Sequence, residues 1–585
     1  MSDNSEYAWP NLAAMFFDQV GRFGDRPFLW AKRGGVYSPL SWGDTAARVT
    51  AMARGLRLLG IEPGDRVVLV SENRPAWLIA DIAIISIGAI TVPAYTTNTE
   101  ADHLHILTDS GAKAAIVSTA KLASRLIPAA TRTPEIKFVV TMEPLDFKQS
   151  PGFDVLTIDK LTAMGRSAQQ NIVELARQGR ADDTACIIYT SGTGGAPKGV
   201  MLSHRNLFHN LRGATGALQE LGLGDEVFLS FLPLSHSYEH MAGQFFPMSI
   251  GAEIYYAEGI ETLGANMLEA RPTIMTAVPR LYESLHQRIT SGVKRAGGLK
   301  LKMFMAALDL GRRKHLDRRS LSRLETIQDK ILDKLVRNKI RARFGGRLKA
   351  LVSGGAPLNP ELGLFFTGLG LRILQGYGQT ETAPLISVNR PSGPKMHTVG
   401  PPVDNTEVRI ADDGEIVVRG DLVMAGYWRN DEATAEVIRD GWIFTGDIGT
   451  FDDDGHLMIT DRKKDIIVNS GGDNIAPQRV EGILTLEPEI AQAMVYGDQR
   501  PHLVALLVAD PDWLAGLTDA SDIHKAIGGA VERVNASLSA IEKIRHFIVI
   551  NEHFSIANEL MTPTMKIRRH KVLKIHGDAL NALYG

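Results

Sequence analysis

One cysteine in 585 residues, Cys186, leaves the chain no partner for an internal disulfide, and such sparing use of cysteine fits a reducing, cytoplasmic setting. Cys186 lies in the apolar run ACIIYT, the place of a small core residue and not of a nucleophile. An excess of charge is missing as well. The 64 Lys and Arg stand against 66 Asp and Glu, a formal charge of -2 that gives no reason to expect nucleic acid. The N-terminal MSDNSEYAWPN has neither the basic start nor the apolar stretch of a secretory signal. No internal repeat, low-complexity tract or GxSxG nucleophile elbow is present. Long hydrophobic runs are also scarce. Only Ala76 to Tyr95 has the length of a membrane span, but it carries Asp81 and Gly88 and reaches Pro93 through a β-branched ITV segment. A buried helix feeding a core strand accounts for it better, and the chain reads as soluble.

What is present is alternation. Short β-branched or apolar runs recur with amphipathic stretches between them: RVVLVS, AITVPAY, AAIVS, KFVVTM, ACIIYT, IYYAE, TIMTAV and LKALVSG. That order predicts α/β layers built on largely parallel sheets. From about Val399 the texture changes, and VRIADDGEIVVRG and GWIFTGDIGTFDDDGHLMITD predict antiparallel hairpins turned by acidic-glycine clusters. A boundary near Thr460–Lys464 then opens a last region of strands and helices. The fold class is therefore α/β: a large N-terminal domain over residues 1–460 with layered sheets and a β-rich subdomain, a connector at 461–464, and a small α+β domain over 465–585.

One stretch departs from the even charge balance. From Lys294 to Lys349 there are eighteen Lys and Arg against five Asp and Glu, in strongly helical sequence. Leu321, Leu324, Ile331 and Leu335 keep helical spacing, which predicts one face packed on a core. The basic residues then form either a solvated face or a surface drawn to anionic lipid headgroups or acidic partners.

The chemistry-bearing stretch is YTSGTGGAPKGVMLSH, Tyr189 to His204. Its glycines, hydroxyls and single Lys198 suit a polyphosphate. The spacing is not that of a Walker A loop, because Pro197 precedes the lysine and Gly199 follows it. Four more stretches accompany it: SGGAP (Ser353–Pro357) behind the strand LKALV, QGYGQTET (Gln375–Thr382) behind LRIL, TGD (Thr445–Asp447) ending the strand GWIF, and DRKKD (Asp461–Asp465). Glycine-rich turns behind buried strands are where α/β proteins place nucleotides.

In this order PKGVMLSH, FLPLSH, GYGQTET, GWIFTGD and DRKKDIIVNSGG resemble the adenylate-forming superfamily of acyl-CoA synthetases, luciferases and carrier-protein adenylation domains, over nearly the whole chain. The basic helical insertion, SGGAPL and TPTMK resemble its bacterial long-chain fatty acyl-CoA synthetase branch. The resemblance implies ATP, Mg2+ and coenzyme A as cofactor and co-substrates, and a fatty acid converted through acyl-AMP to acyl-CoA. It leaves two alternatives: loading of a carrier protein, and a non-catalytic nucleotide or lipid sensor.

It also implies roles. Thr190, Ser191, Gly192, Thr193, Gly194 and Lys198 would cradle the pyrophosphate end, Thr380 would donate to the α-phosphate, and Glu381 would hold Mg2+. Gly355, Ala356 and Pro357 would line one side of adenine, with Tyr377 stacked on the other. Asp447 would accept the ribose hydroxyls, reinforced by Arg462. Lys566 would bridge carboxylate and α-phosphate, and His236 would stand between acyl and nucleotide sites unless it is a core histidine. Lys464 would be the pivot of a rotating C-terminal domain, and Ser470, Gly471 and Gly472 would help form the pantetheine tunnel. The family text TSGTTGxPKG is broken at Gly194, which costs the loop one hydroxyl donor. The acyl pocket is the least marked feature; Phe231, Tyr238, Met241 and Phe245 lie in a suitable apolar region.

Overall fold

The computed structural model describes residues 8–145, 152–190, 196–317, 320–514, 519–555, 557–562 and 566–585. The runs read as core strands all form strands. Arg66–Val70, Ile90–Pro93, Ala114–Val117, Phe138–Thr141 and Asp154–Thr157 make a parallel array, and Thr184–Thr190 joins it beside Ile90–Pro93. Lys198–Ser203 folds back antiparallel on Thr184–Thr190, with the glycine- and hydroxyl-rich stretch lying between them in sequence. A second eight-stranded sheet holds Glu253–Tyr256, Val227–Ser230, Ile274–Ala277, Ala350–Ser353 and Ile373–Tyr377 in parallel. Their side chains are buried on both faces, the burial that continuous apolar runs require.

The β-rich subdomain is a five-stranded antiparallel sheet built on the hairpins Glu407–Ile410/Glu415–Arg419 and Trp442–Phe451/Leu457–Arg462. One detail differs from expectation. TGD does not end the strand GWIF; the strand runs on through Asp447 to Phe451, with a register shift at Ile448/Gly449. The left-handed Gly446 (φ 70°) lets that strand kink and continue, and Asp447 is left opposite Arg462. Beyond a turn at 463–465 comes a smaller α+β domain. Its strands Ile490–Tyr496, Leu503–Ala509 and Ile544–Ile550 form one sheet, with helices Pro477–Leu484, Ala520–Asn535 and Arg569–Asn581 packed around it.

The Ala76–Tyr95 run folds as a buried helix, Pro75–Ser86, that feeds the strand Ile90–Pro93. Asp81 in that helix is buried and meets the His240 Nε2 at 2.8 Å. Among the described residues no helix is long and apolar enough to cross a membrane. Cys186 is buried in the core, and burial raises its thiol well above the usual range, as a packing residue requires.

The basic segment is helical, as its sequence predicts: Gly298–Leu316, Arg323–Leu332 and Asn338–Arg343, with a π-turn at Asp333–Arg337. The predicted packing of its apolar face is not what the structure contains. Leu321 packs inward, but Leu324, Ile331 and Leu335 face out, and the buried side carries Asp329 and Arg337 with Leu332. An ion pair of 2.7 Å between Asp329 and Arg337, with Arg337 also donating to the Gly368 and Ala307 carbonyls, satisfies the buried charges and fixes this orientation.

Candidate active site

Strand ends deliver the site residues to one cavity of about 2030 Å³, walled by the large domain and by the small C-terminal domain. Thr190 closes its strand there; Gly354–Pro357 follow Ala350–Ser353, and Tyr377–Glu381 follow Ile373–Tyr377. Two glycines are needed for this path. Gly355 is left-handed (φ 80°), and a Cβ at Gly378 would lie 1.5 Å from the Pro384 carbonyl oxygen.

The helix His204–Leu218 anchors the second loop. Ser203 caps it by accepting from the Asn206 N–H, with Asn206 bonding back in a capping box. From this helix the fully buried Asn210 donates to the Thr382 and Leu385 carbonyls at 3.3 and 3.2 Å and accepts from the Leu385 N–H at 2.5 Å. Asn206 likewise donates to the Asp421 and Val423 carbonyls. The segment that follows Thr380 and Glu381 is thereby tied to the helix His204–Leu218. Ser237 and Thr380 share a hydroxyl hydrogen bond of 3.0 Å. The Glu381 carboxylate accepts from the Tyr427 hydroxyl at 3.0 Å, and the Lys198 ammonium stands 5.0 Å from the centre of the same Tyr427 ring. Lys198 and Glu381 therefore flank the same Tyr427 side chain, although Lys198 itself does not line the cavity.

Asp447 is buried and doubly held. One carboxylate oxygen accepts from the Tyr377 hydroxyl at 2.6 Å, and the other meets Arg462 Nε at 3.1 Å. Burial and the Asp447 charge raise the Tyr377 hydroxyl well above its ordinary range, so it stays a donor. Lys566 comes from the C-terminal domain and reaches into the same cavity. Its side chain lines the cavity and keeps accessible surface there. Burial, and then the Arg462 cation, lower its ammonium to about 8, while Asp447 and Glu381 act in the opposite direction. His236 also lines the cavity. Its Nδ1 accepts from the Tyr238 N–H at 3.1 Å, which leaves the proton on Nε2 in the neutral ring. Burial and the nearby Lys566 lower His236 to about 4, so the ring is neutral at physiological pH.

Ala214, Ala217, Phe228, Met241, Ala242 and Phe246 line an apolar part of the same cavity. Behind it the π-turn His240–Phe245 is stitched to two strands by Glu239, which accepts from Ser230 and Thr276 at 2.6 Å each; burial raises its carboxyl to about 8. Tyr238 and Met241 line the cavity, whereas Phe245 packs on the His240 ring and Phe231 against the core of the second sheet.

Not every expected residue joins the cluster. Ser191, Gly192, Thr193 and Gly194 lie outside the described residues. Lys464 lines the cavity in the 463–465 turn, while its neighbour Lys463 is ion-paired with Asp413 and Glu415. Ser470, Gly471 and Gly472 stand exposed at the tip of the hairpin Ile467–Val468/Asn474–Ile475, away from the cavity lining. Sequence reasoning missed Ser237, Tyr427, Asn210 and Glu239. Of these only Ser237 adjoins one of the motifs, FLPLSH.

Thr190, Gly354–Pro357, Tyr377–Glu381, Asp447, Arg462 and Lys566 thus meet in one cavity. The chain belongs to the AMP-binding enzyme family, which matches residues 16–428, with that family's C-terminal domain matching 464–585. It is thus an AMP-forming ligase that binds ATP and works through an acyl-adenylate. Among its relatives, the long-chain-fatty-acid–CoA ligase FadD15 of Mycobacterium bovis is 35% identical, covering 98% of this chain and 97% of that protein. The peroxisomal long chain acyl-CoA synthetase 6 of Arabidopsis thaliana is 33% identical over 94% of this chain and 82% of that protein. The fold matches the adenylation domain of the carboxylic acid reductase from Segniliparus rugosus, solved with AMP and a carboxylic acid, at a TM-score of 0.80 and 23% identity over 98% of this chain and 94% of that one.

Proposed function

We propose that this ligase activates a long-chain fatty acid as acyl-AMP and transfers the acyl group to coenzyme A, releasing AMP and pyrophosphate. The observation that carries this reading is the continuity of the apolar pocket with the nucleotide cluster in one cavity. The relatives of like length are long-chain-fatty-acid–CoA ligases, which supports the same substrate pair.

In the first half-reaction a carboxylate oxygen attacks the α-phosphorus of ATP and the α–β phosphoanhydride bond breaks. Two anions must meet, so charge has to be neutralised along a fixed line of approach. Asp447 and Arg462 orient the ribose, and Tyr377 packs against adenine opposite Gly355–Pro357. Thr380 donates to the α-phosphate, held in place by Ser237. Lys198, Thr190 and the loop Ser191–Gly194 take the pyrophosphate end. Lys566 bridges carboxylate and α-phosphate, and its free-standing ammonium is what such a bridge needs. Glu381 would hold Mg2+; a hard cation bound through one carboxylate and substrate phosphates needs no protein cage, and among the described residues there is none. When bound, the ion neutralises phosphate charge.

In the second half-reaction the thiol sulfur attacks the acyl carbonyl and AMP leaves as the carbonyl re-forms. Lys566 has no part in that step and must vacate the cavity. Residues 461–464 serve as the connector, with Lys464 as pivot, and the rotation brings Ser470–Gly472 from their exposed hairpin to the thiol's path. The neutral His236 lines the passage between acyl group and nucleotide. ATP–pyrophosphate exchange across acids from acetate to oleate, with aryl and amino acids as controls, tests the substrate class; exchange confined to short or aryl acids contradicts it. Discharge of acyl-AMP to free CoA against a holo-carrier protein tests the acceptor, and a carrier-only discharge would replace CoA in this scheme.

A further inference from the structure

The segment Arg323–Arg337 is amphipathic in reverse. Its inner side is charged, with Asp329 held between Lys314 at 2.8 Å and Arg337 at 2.7 Å. Its outer side carries Leu324, Ile327, Ile331 and Leu335, which are 81%, 57%, 53% and 45% exposed. Their spacing of three, four and four residues puts all four on one face, a row about 16 Å long at the helical rise. Arg323, Lys330 and Lys334 follow one flank of that row, exposed and in no ion pair among the described residues. Leu316, at the end of the preceding helix, is 70% exposed as well.

A water-facing row of four large aliphatic side chains raises the free energy of the isolated protein unless something covers it. The orientation is not loose packing, since the buried ion pairs and the Arg337 bonds to two carbonyls hold the helix with its apolar side out. A straight row of aliphatic side chains on one helix face suits a planar, deformable surface. The charge around it selects the sign of that surface: residues 294–349 carry eighteen basic against five acidic residues, in a chain whose total is -2.

We propose that this face docks the protein on an anionic lipid bilayer, with the four aliphatic side chains at the headgroup–acyl boundary and Arg323, Lys330 and Lys334 on lipid phosphates. Adsorption is independent of catalysis. Only the benefit, access to a fatty acid dissolved in the bilayer, rests on the substrate reading above.

Sedimentation of the full chain with vesicles of phosphatidylcholine and of mixed phosphatidylcholine–phosphatidylglycerol, without substrate, tests the proposal. The expected result is binding to mixed vesicles that falls with salt and is weak on phosphatidylcholine alone. Leu324→Glu combined with Ile331→Glu is expected to lower it by roughly a hundredfold, and reversing Arg323, Lys330 and Lys334 to Glu by a similar factor. Both variants should keep the wild-type melting temperature and ATP–pyrophosphate exchange with a water-soluble acid, which separates a lost surface from a lost fold. Absent adsorption by the wild-type chain would overturn the proposal, as would unchanged adsorption by the variants. So would a wild-type dimer that the Leu324/Ile331 variant dissociates while vesicles bind neither form; the face would then pair two copies.

Discussion

On the large-domain side of the cavity Asp447, Glu381 and Thr380 each have a side-chain partner. Asp447 has Tyr377 and Arg462, Glu381 has Tyr427, Thr380 has Ser237, and Asn210 ties down the loop that carries Thr380 and Glu381. On the small-domain side, Lys566 has only backbone ties, to Thr562, and its ammonium makes no hydrogen bond or ion pair among the described residues. The contrast has a physical logic. Groups needed in both half-reactions gain from preorganisation, because a fixed dipole costs nothing to reorient in the transition state. A group needed in one half-reaction must leave, and each hydrogen bond it made would be a barrier to leaving.

Variants should therefore sort by side. The largest effect is expected for Asp447→Ala, which removes the diol clamp and leaves Arg462 without its carboxylate. Both acyl-AMP formation and thioester formation from supplied acyl-AMP should fall on the order of a hundredfold, read in separate half-reaction assays. Loss of only one would break the comparison. Lys464→Pro should spare adenylation but slow thioester formation about tenfold or more, because a fixed φ hinders the turn from changing its path. Intact thioester formation there would remove Lys464 as pivot.

A pH profile sharpens the same contrast at smaller amplitude. Burial lowers the Lys566 ammonium to about 8, so it is charged below that pH and loses its proton above it. The adenylation rate should decline as pH rises through about 8, while thioester formation should show no step assigned to this lysine. Lys566→Ala should abolish the adenylation step in the profile, and its persistence would assign it elsewhere. The smallest effect is expected at Gly194. Restoring a hydroxyl with Gly194→Thr should keep kcat within about threefold and lower KM for ATP, by the worth of one added hydrogen bond. A collapse would show that the glycine is needed for backbone geometry.

Much of this arrangement was legible in the sequence, and what was not has identifiable reasons. Parallel strands buried on both faces write themselves as β-branched runs, so Arg66–Val70 or Ala114–Val117 could be placed without coordinates. The family resemblance grouped Tyr377, Asp447 and Arg462, and the structure does bring them into contact. Tyr427 and Asn210 left no trace, since each acts on a segment 46 or 175 residues away and neither lies in a motif. Ala214, Ala217 and Ala242 shape the apolar pocket by being small, and absent volume has no sequence signature. The reversed helix Arg323–Leu332 shows the limit of periodicity. Spacing located the apolar face but not the direction it points, because the buried Asp329–Arg337 pair, invisible to a hydrophobic pattern, decides that.

The most direct test of the divided site is to measure both half-reactions in one preparation of Lys566→Ala. Acyl-AMP formation should fall by up to about a hundredfold, with thioester formation from supplied acyl-AMP within about threefold of wild type. Equal loss in both steps would contradict the division, placing Lys566 among the fixed groups of the cavity.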